Sequence, residues 1–280
     1  MLISVRHATR YVYDTPARYA IQALRLEPPA FSGQAIRSWT ITAPGIENAL
    51  RFTDGFGNRV ALVTTNEVHT GIEIIAEGLV ETTDRAGVAN GLSEPSPTRI
   101  YLRTTPATLP DDTIFALAAG TTGTTSIERL HALMNTIRDR IDYETGTTSQ
   151  QTTAAQVLIQ GRGVCQDHAH VFIAAARSLG FPARYVNGYF LSGAAQPELA
   201  HHAWAEARVE HLGWVGFDVA NRVCPDDRYV RLATGLDSAT ASPIRGSRPL
   251  PLGTAHVSEH LDVTVEVHEQ HGQSQSQSQQ

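Results

Sequence analysis

The chain has 280 residues, with 22 basic and 28 acidic side chains and a formal charge of −6. A pI near 6.0 and the lack of any basic run exclude the positive footprint of a nucleic-acid binder, and 41% hydrophobic with 18% charged residues exclude a disordered chain. No apolar stretch approaches the roughly 18–20 residues that cross a bilayer, so neither nucleic acid nor membrane is an expected partner. Every basic residue is Arg and none is Lys, a pattern that arginine-favouring codon usage produces. The start, MLISVRHATRYVYD, lacks the charged-then-apolar form of a secretory signal. Cys165 and Cys224 are too few for a disulfide framework, and together these features predict a cytoplasmic, reducing location.

The first 95 residues read as a β module. Ile3–Tyr13, Ala20–Leu26 and Ser38–Ala43 are short, rich in β-branched and aromatic residues, and broken by Pro and Gly. Leu50–Thr53, the loop Asp54–Asn58 and Val60–Thr65 predict a hairpin, and Gly71–Thr82 adds a strand. Pro95, Pro97, Pro106 and Pro110 mark 96–112 as a linker, and a core is expected over 113–268. Within it, Thr125 and Glu128 form a capping-box pattern, followed by Ile127, Leu130, Met134, Ile137 and Ile141 at helical spacing. Further helices are predicted at Thr153–Gln160 and from Cys165 to Leu179, the last closed by Gly180. The period then changes to two: Ala183–Leu191, His202–Glu210, Trp214–Val219 and later Leu261–Val267 predict strands. Residues 269–280 form a polar Gln/Ser tail expected to be mobile.

Cys165 lies in GRGVCQDHAHVF, where Gly161 and Gly163 permit a tight approach and a helix begins at or beside the cysteine. A thiol at a helix N-terminus feels unpaired N–H groups and the positive end of the macrodipole, which favour thiolate. The same N–H groups can hold an oxyanion. In HHAWAEARV, strict alternation puts His202, Trp204, Glu206 and Arg208 on one face of a strand. Asp218, in GWVGFD, follows His202 by 16 residues across a turn at His211–Gly213. Pairing Asp218 with His202 or Trp204 keeps both side chains on one face, whereas a one-residue slip would separate them.

The strings GVCQDHAH, HHAWAE and WVGFD, in that order, closely resemble the transglutaminase-like superfamily over residues 126–222. The β module resembles the N-terminal region of its bacterial members. The resemblance implies an α+β fold: a papain-like transglutaminase core, its nucleophile helix packed on an antiparallel sheet, preceded by an N-terminal β domain. It also implies a catalytic triad of Cys165, His202 and Asp218. Animal members use a Trp upstream of the cysteine to stabilise the oxyanion. None lies there in this chain, so Tyr143 and Gln160 are the candidate donors. Gln166, His168, His201 and Trp204 are candidates for lining the site. No EF-hand pattern appears, Asp111–Asp112 and Asp226–Asp227 read as solvated turns, and a zinc site from His168, His170 and His201 would need ligands converging on one point. No metal or cofactor is expected. Cys224 reads as a buried structural thiol and Arg162 as a surface side chain.

The expected activity is cysteine-dependent acyl transfer through a thioester at Cys165, of the protease or amidase type, on a peptide or protein substrate with glutamine or other amide groups. The alternatives are an amine-accepting protein-glutamine gamma-glutamyltransferase and a non-catalytic peptide-binding module. If acyl groups go to lysine amines, this chain offers none of its own, while its tail displays Gln270, Gln273 and Gln275 as donors.

Overall fold

A computed structural model describes residues 1–192, 201–249 and 259–270. Apart from Glu269 and Gln270, the predicted tail lies outside them.

The β module holds β1 (Leu2–Ala17), β2 (Ala20–Glu27), β3 (Gln34–Thr42), β4 (Leu50–Thr53), β5 (Arg59–Thr65) and β6 (His69–Thr82). Alternation sorts β1, β2 and β6 into a buried and a more solvated face: Ile3, Val5, Leu24, Leu26, Ile72 and Ile74 point into one core, joined by Val63 of β5. β4 and β5 form the predicted hairpin, with Thr53 opposite Arg59. Asp54 closes its loop by accepting from the Phe56 and Asn58 N–H groups, each at 3.0 Å.

A short β7 (Val88–Ala89) leaves the module and pairs with the core sheet. The predicted linker is in fact packed. Its two 3₁₀ turns, Thr98–Leu102 and Pro106–Thr108, bury Tyr101 and Thr108. The guanidinium of Arg177 fixes both turns, donating to the Tyr101 carbonyl at 2.9 Å and to Thr108 Oγ1 at 2.9 Å.

The core begins with α1 (Asp112–Ala119), which is absent from the sequence expectation. Asp111, read above as part of a solvated turn, is its N-cap and accepts from the Thr113 and Ile114 N–H groups. Next come α2 (Ser126–Arg140), β8 (Asp142–Tyr143), α3 (Ala154–Gln160), β9 (Arg162–Gly163) and α4 (Cys165–Ser178). β10 (Ala183–Phe190), β11 (His201–Val209), β12 (Gly213–Phe217) and β13 (Tyr229–Gly235) complete the central sheet, in the order β13-β10-β11-β12-β7. α4 is buried almost throughout and packs against Ala203, Ala205 and Ala207 of β11, whose methyl groups allow close approach. β13 went unread because all its residues are buried, Arg231 included, which erases the alternation that marks a half-buried strand.

The expected core boundary at residue 268 needs correction. β14 (Ile244–Ser247) pairs with β2, and β15 (Glu259–Glu269) pairs with β1. The chain end thus returns to the β module, giving two four-stranded sheets, β15-β1-β6-β3 and β14-β2-β5-β4. The strand at 261–267 is real, but its own sequence does not specify its partner. No helix among the described residues is long and apolar enough to cross a membrane.

Candidate active site

Local chemistry sets Cys165 at the start of α4. Gly161 ends α3 at φ 68°, a left-handed conformation that glycine adopts freely. Gly163 faces the Asp167 side chain so closely that a Cβ there would lie 2.7 Å from Oδ2. That space lets Asp167 reach back from the first turn, where Oδ2 accepts from the Val164 N–H at 2.8 Å and from Thr148 Oγ1 at 2.7 Å. The first turn is therefore fixed by a buried carboxylate.

The loop before it is held by the two-residue parallel pair β8–β9, in which Tyr143 lies opposite Gly163. The Glu144 N–H donates to the Gly163 carbonyl at 3.0 Å. This brings Tyr143 beside the cysteine: burial, then Cys165, Asp218 and Asp167, push its hydroxyl up to about 12. Gln160, the other candidate donor, ends α3 with its side chain exposed, and among the described residues no hydrogen bond ties it to Cys165.

β11 and β12 pair with Ala205 opposite Phe217. One step further along this register sets Asp218 opposite Trp204 and diagonal to His202, the arrangement that keeps all three on one face. His202 Nε2 meets Asp218 Oδ2 at 2.6 Å. The same carboxylate oxygen accepts from Tyr229 Oη at 2.8 Å and from Asn221 Nδ2 at 2.7 Å. Although burial opposes its charge, the positive charge of His202, then its hydrogen bond and these two donors, hold the Asp218 carboxyl below its usual range.

Burial also works against the His202 imidazolium, but Asp218 and then Cys165 outweigh it and raise its pKa to about 10. With Nε2 committed to Asp218, Nδ1 is the nitrogen available to the thiol; it is buried and makes no formed hydrogen bond. Trp204 stacks beside His202, with ring centroids 6.4 Å apart, and meets Tyr229 edge-on at 5.6 Å. The arrangement thus provides a helix-terminal thiol, an imidazolium oriented by a buried carboxylate, and a nearby phenol.

Other predicted residues take different places. Gln166 is half-buried on the first turn of α4. His168 is fully buried, with its ring nitrogens 2.8 Å from the Val164 carbonyl and 3.1 Å from that of Ile141. It braces the loop and does not line the entrance. His201 projects away from His202 toward His7 and Tyr189, at 5.5 and 6.4 Å between ring centroids. His170 accepts from the Ser238 N–H instead. The three histidines weighed for zinc therefore diverge, and among the described residues no group of three or more His, Cys, Asp or Glu gathers to hold a metal. Arg162 is exposed, 3.6 Å from Glu144. Cys224 is half-buried and unbridged, its thiol pushed up to about 11 by burial.

Sequence reasoning missed three residues. Asn221 lies only three positions after Asp218, and its N–H and Nδ2 both donate back to that carboxylate, a local side-chain contact of the kind a short polar turn residue makes. Asp167 carried a local signal, as an acidic residue at the third position of a helix. Tyr229 had none, because it arrives from a separate strand.

Residues 115–219 match the family model of the transglutaminase-like superfamily, and residues 3–81 match the bacterial transglutaminase-like N-terminal region. An uncharacterised protein of Mycobacterium leprae is 27% identical over 285 residues, covering 94% of this chain and 97% of that protein. An uncharacterised Mycobacterium tuberculosis protein is 32% identical over 151 residues, covering 50% of this chain and 47% of that protein. A crystal structure from Cytophaga hutchinsonii, provisionally named a cysteine protease, has the same fold: TM-score 0.72 at 22% identity, over 97% of this chain and 92% of that one.

Proposed function

We propose that this chain, which belongs to the transglutaminase-like superfamily, is a cysteine enzyme that hydrolyses amide or peptide bonds through a thioester at Cys165. The observation that carries the reading is the division of labour on His202. Nε2 is fixed by Asp218 at 2.6 Å, and Nδ1 is left for the thiol.

His202 takes the proton of the Cys165 thiol, so that sulfur reacts as a thiolate beside an imidazolium. Sulfur attacks the carbonyl carbon, and the negative charge moves to oxygen, where the first N–H groups of α4 and the Tyr143 hydroxyl receive it. As the tetrahedral centre collapses, the C–N bond breaks and the amine or ammonia leaves with the proton from His202. A water then attacks the thioester. His202 takes its proton, the carboxylic acid departs, and the thiolate–imidazolium pair is restored. Asp218 stays ionised throughout and sets the orientation of the imidazole.

Supplying glutamine peptides with and without a primary amine tests hydrolysis against transamidation. Released carboxylate exceeding amine incorporation supports the hydrolase. Amine incorporation exceeding hydrolysis identifies a transglutaminase, and neither product from a folded chain leaves a peptide-binding module.

A further inference from the structure

The β module is open at one side. β3 and β4 are the end strands of its two sheets, and a cavity of about 530 Å³ takes its walls from both. The register of β3 shifts between Ile36 and Ser38, which skips Arg37 and leaves Ile36, Trp39 and Ile41 on one face, opposite Val80, Gly78 and Ala76 of β6. That face is the inner one: all three side chains pack against the module core yet stay only half-buried. The indole is held in place, with Trp39 Nε1 donating to the Leu26 carbonyl at 2.7 Å.

The other wall is basic. Arg51 stands opposite Ala61, a residue of the module core, so both lie on the inner face of their sheet. Arg59 lines the cavity beside it and is matched by Glu27 at 2.6 Å. Arg51 has no such partner among the described residues, whereas the buried Arg184 and Arg231 share Glu206 at 2.5 and 2.9 Å. Two cations and one carboxylate leave a net positive charge here, on a chain whose formal charge is −6.

We infer that this cavity docks an extended peptide segment of a partner protein, with apolar side chains on Ile36, Trp39 and Ile41 and a carboxylate at Arg51. Past the bulge, Ser38–Thr42 keeps a regular register with β6, and its other edge is unpaired among the described residues. An extended backbone can bond such an edge while alternate side chains enter the cavity. None of Cys165, His202 and Asp218 lines it, so docking is independent of the acyl-transfer reading.

Fluorescence anisotropy of a labelled peptide of alternating valine and glutamate, titrated with the full chain at low ionic strength, tests the inference. The control probe is the same peptide with lysine for glutamate. The glutamate peptide should bind saturably and at least about fivefold more tightly, equally well to Cys165→Ala. Arg51 is exposed on a short edge strand, so Arg51→Glu should fold normally, as circular dichroism would show, and should reverse the preference. Arg103→Glu, an equal charge change at an exposed residue outside the cavity, should leave the preference intact. No saturable binding, equal binding of the two peptides, or an unchanged preference in Arg51→Glu would overturn the inference. So would self-association of the chain that Arg51→Glu abolishes, which would give the face to a second copy.

Discussion

Tyr229 donates its hydroxyl, at 2.8 Å, to the same oxygen of Asp218 that holds His202. A residue of β13 thereby braces a carboxylate that follows β12, and through it the imidazole on β11. The carboxylate keeps its charge in a buried site because His202, Asn221 and Tyr229 all stabilise that charge.

Tyr229→Phe removes one charge-assisted hydrogen bond and leaves the other two. A loss of about 1.5–3 kcal/mol of stability is expected, with kcat falling and KM nearly unchanged, because Tyr229 acts through Asp218. Urea denaturation and steady-state kinetics check the two parts. Asp218→Asn should cost more, at least about a hundredfold in kcat, and should bring the His202 pKa down from about 10, which NMR titration of the imidazole reads.

Stability should fall on both sides of neutrality, for opposite reasons. Burial holds His7 neutral with a pKa near 3, and His170 and His201 with values near 4. Their contribution is complete above the ordinary 6.5 and is lost as pH drops toward those values. His202 is raised from 6.5 to about 10, so its contribution is complete below 6.5 and is lost as pH rises through 10. Denaturation midpoints across this range should show His201→Asn flattening the acid limb and His202→Gln flattening the alkaline one.

Arg177 is expected to be the costliest single loss outside the site. It donates to the carbonyls of Tyr101, Ala183 and Leu236 and to Thr108 Oγ1, joining the 3₁₀ turns to α4 and the central sheet. Arg177→Met leaves these acceptors without their donor, and a destabilisation of about 3–5 kcal/mol is predicted from denaturant midpoints.

The two cysteines should differ sharply in reactivity. The Cys224 thiol is pushed up to about 11 by burial, whereas Cys165 sits at a helix N-terminus beside a cationic imidazole. One equivalent of iodoacetamide near neutral pH should label Cys165 and spare Cys224, as peptide mapping would show.

Much of this arrangement was legible because the signals are local. Thr125 and Glu128 announced α2 three residues apart, and the box forms as read, with the Glu128 N–H donating to Thr125 Oγ1 at 3.2 Å. Alternation in HHAWAEARV set His202 and Trp204 on one face, leaving only the register with Asp218 to the structure. What escaped the sequence was non-local. The pairing of β15 with β1, the approach of Tyr229 to Asp218 and the meeting of Arg184 and Arg231 on Glu206 all join segments far apart in the chain. Residues such as Arg231 also sit where burial on both faces removes the periodic pattern.

Intact-mass analysis of the chain, quenched in acid during turnover of a peptide amide, tests for the thioester on Cys165. An acyl adduct is expected that maps to Cys165, is released by hydroxylamine and is absent from Cys165→Ala. Undiminished turnover by a folded Cys165→Ala variant, with no adduct on the wild-type chain, would contradict it.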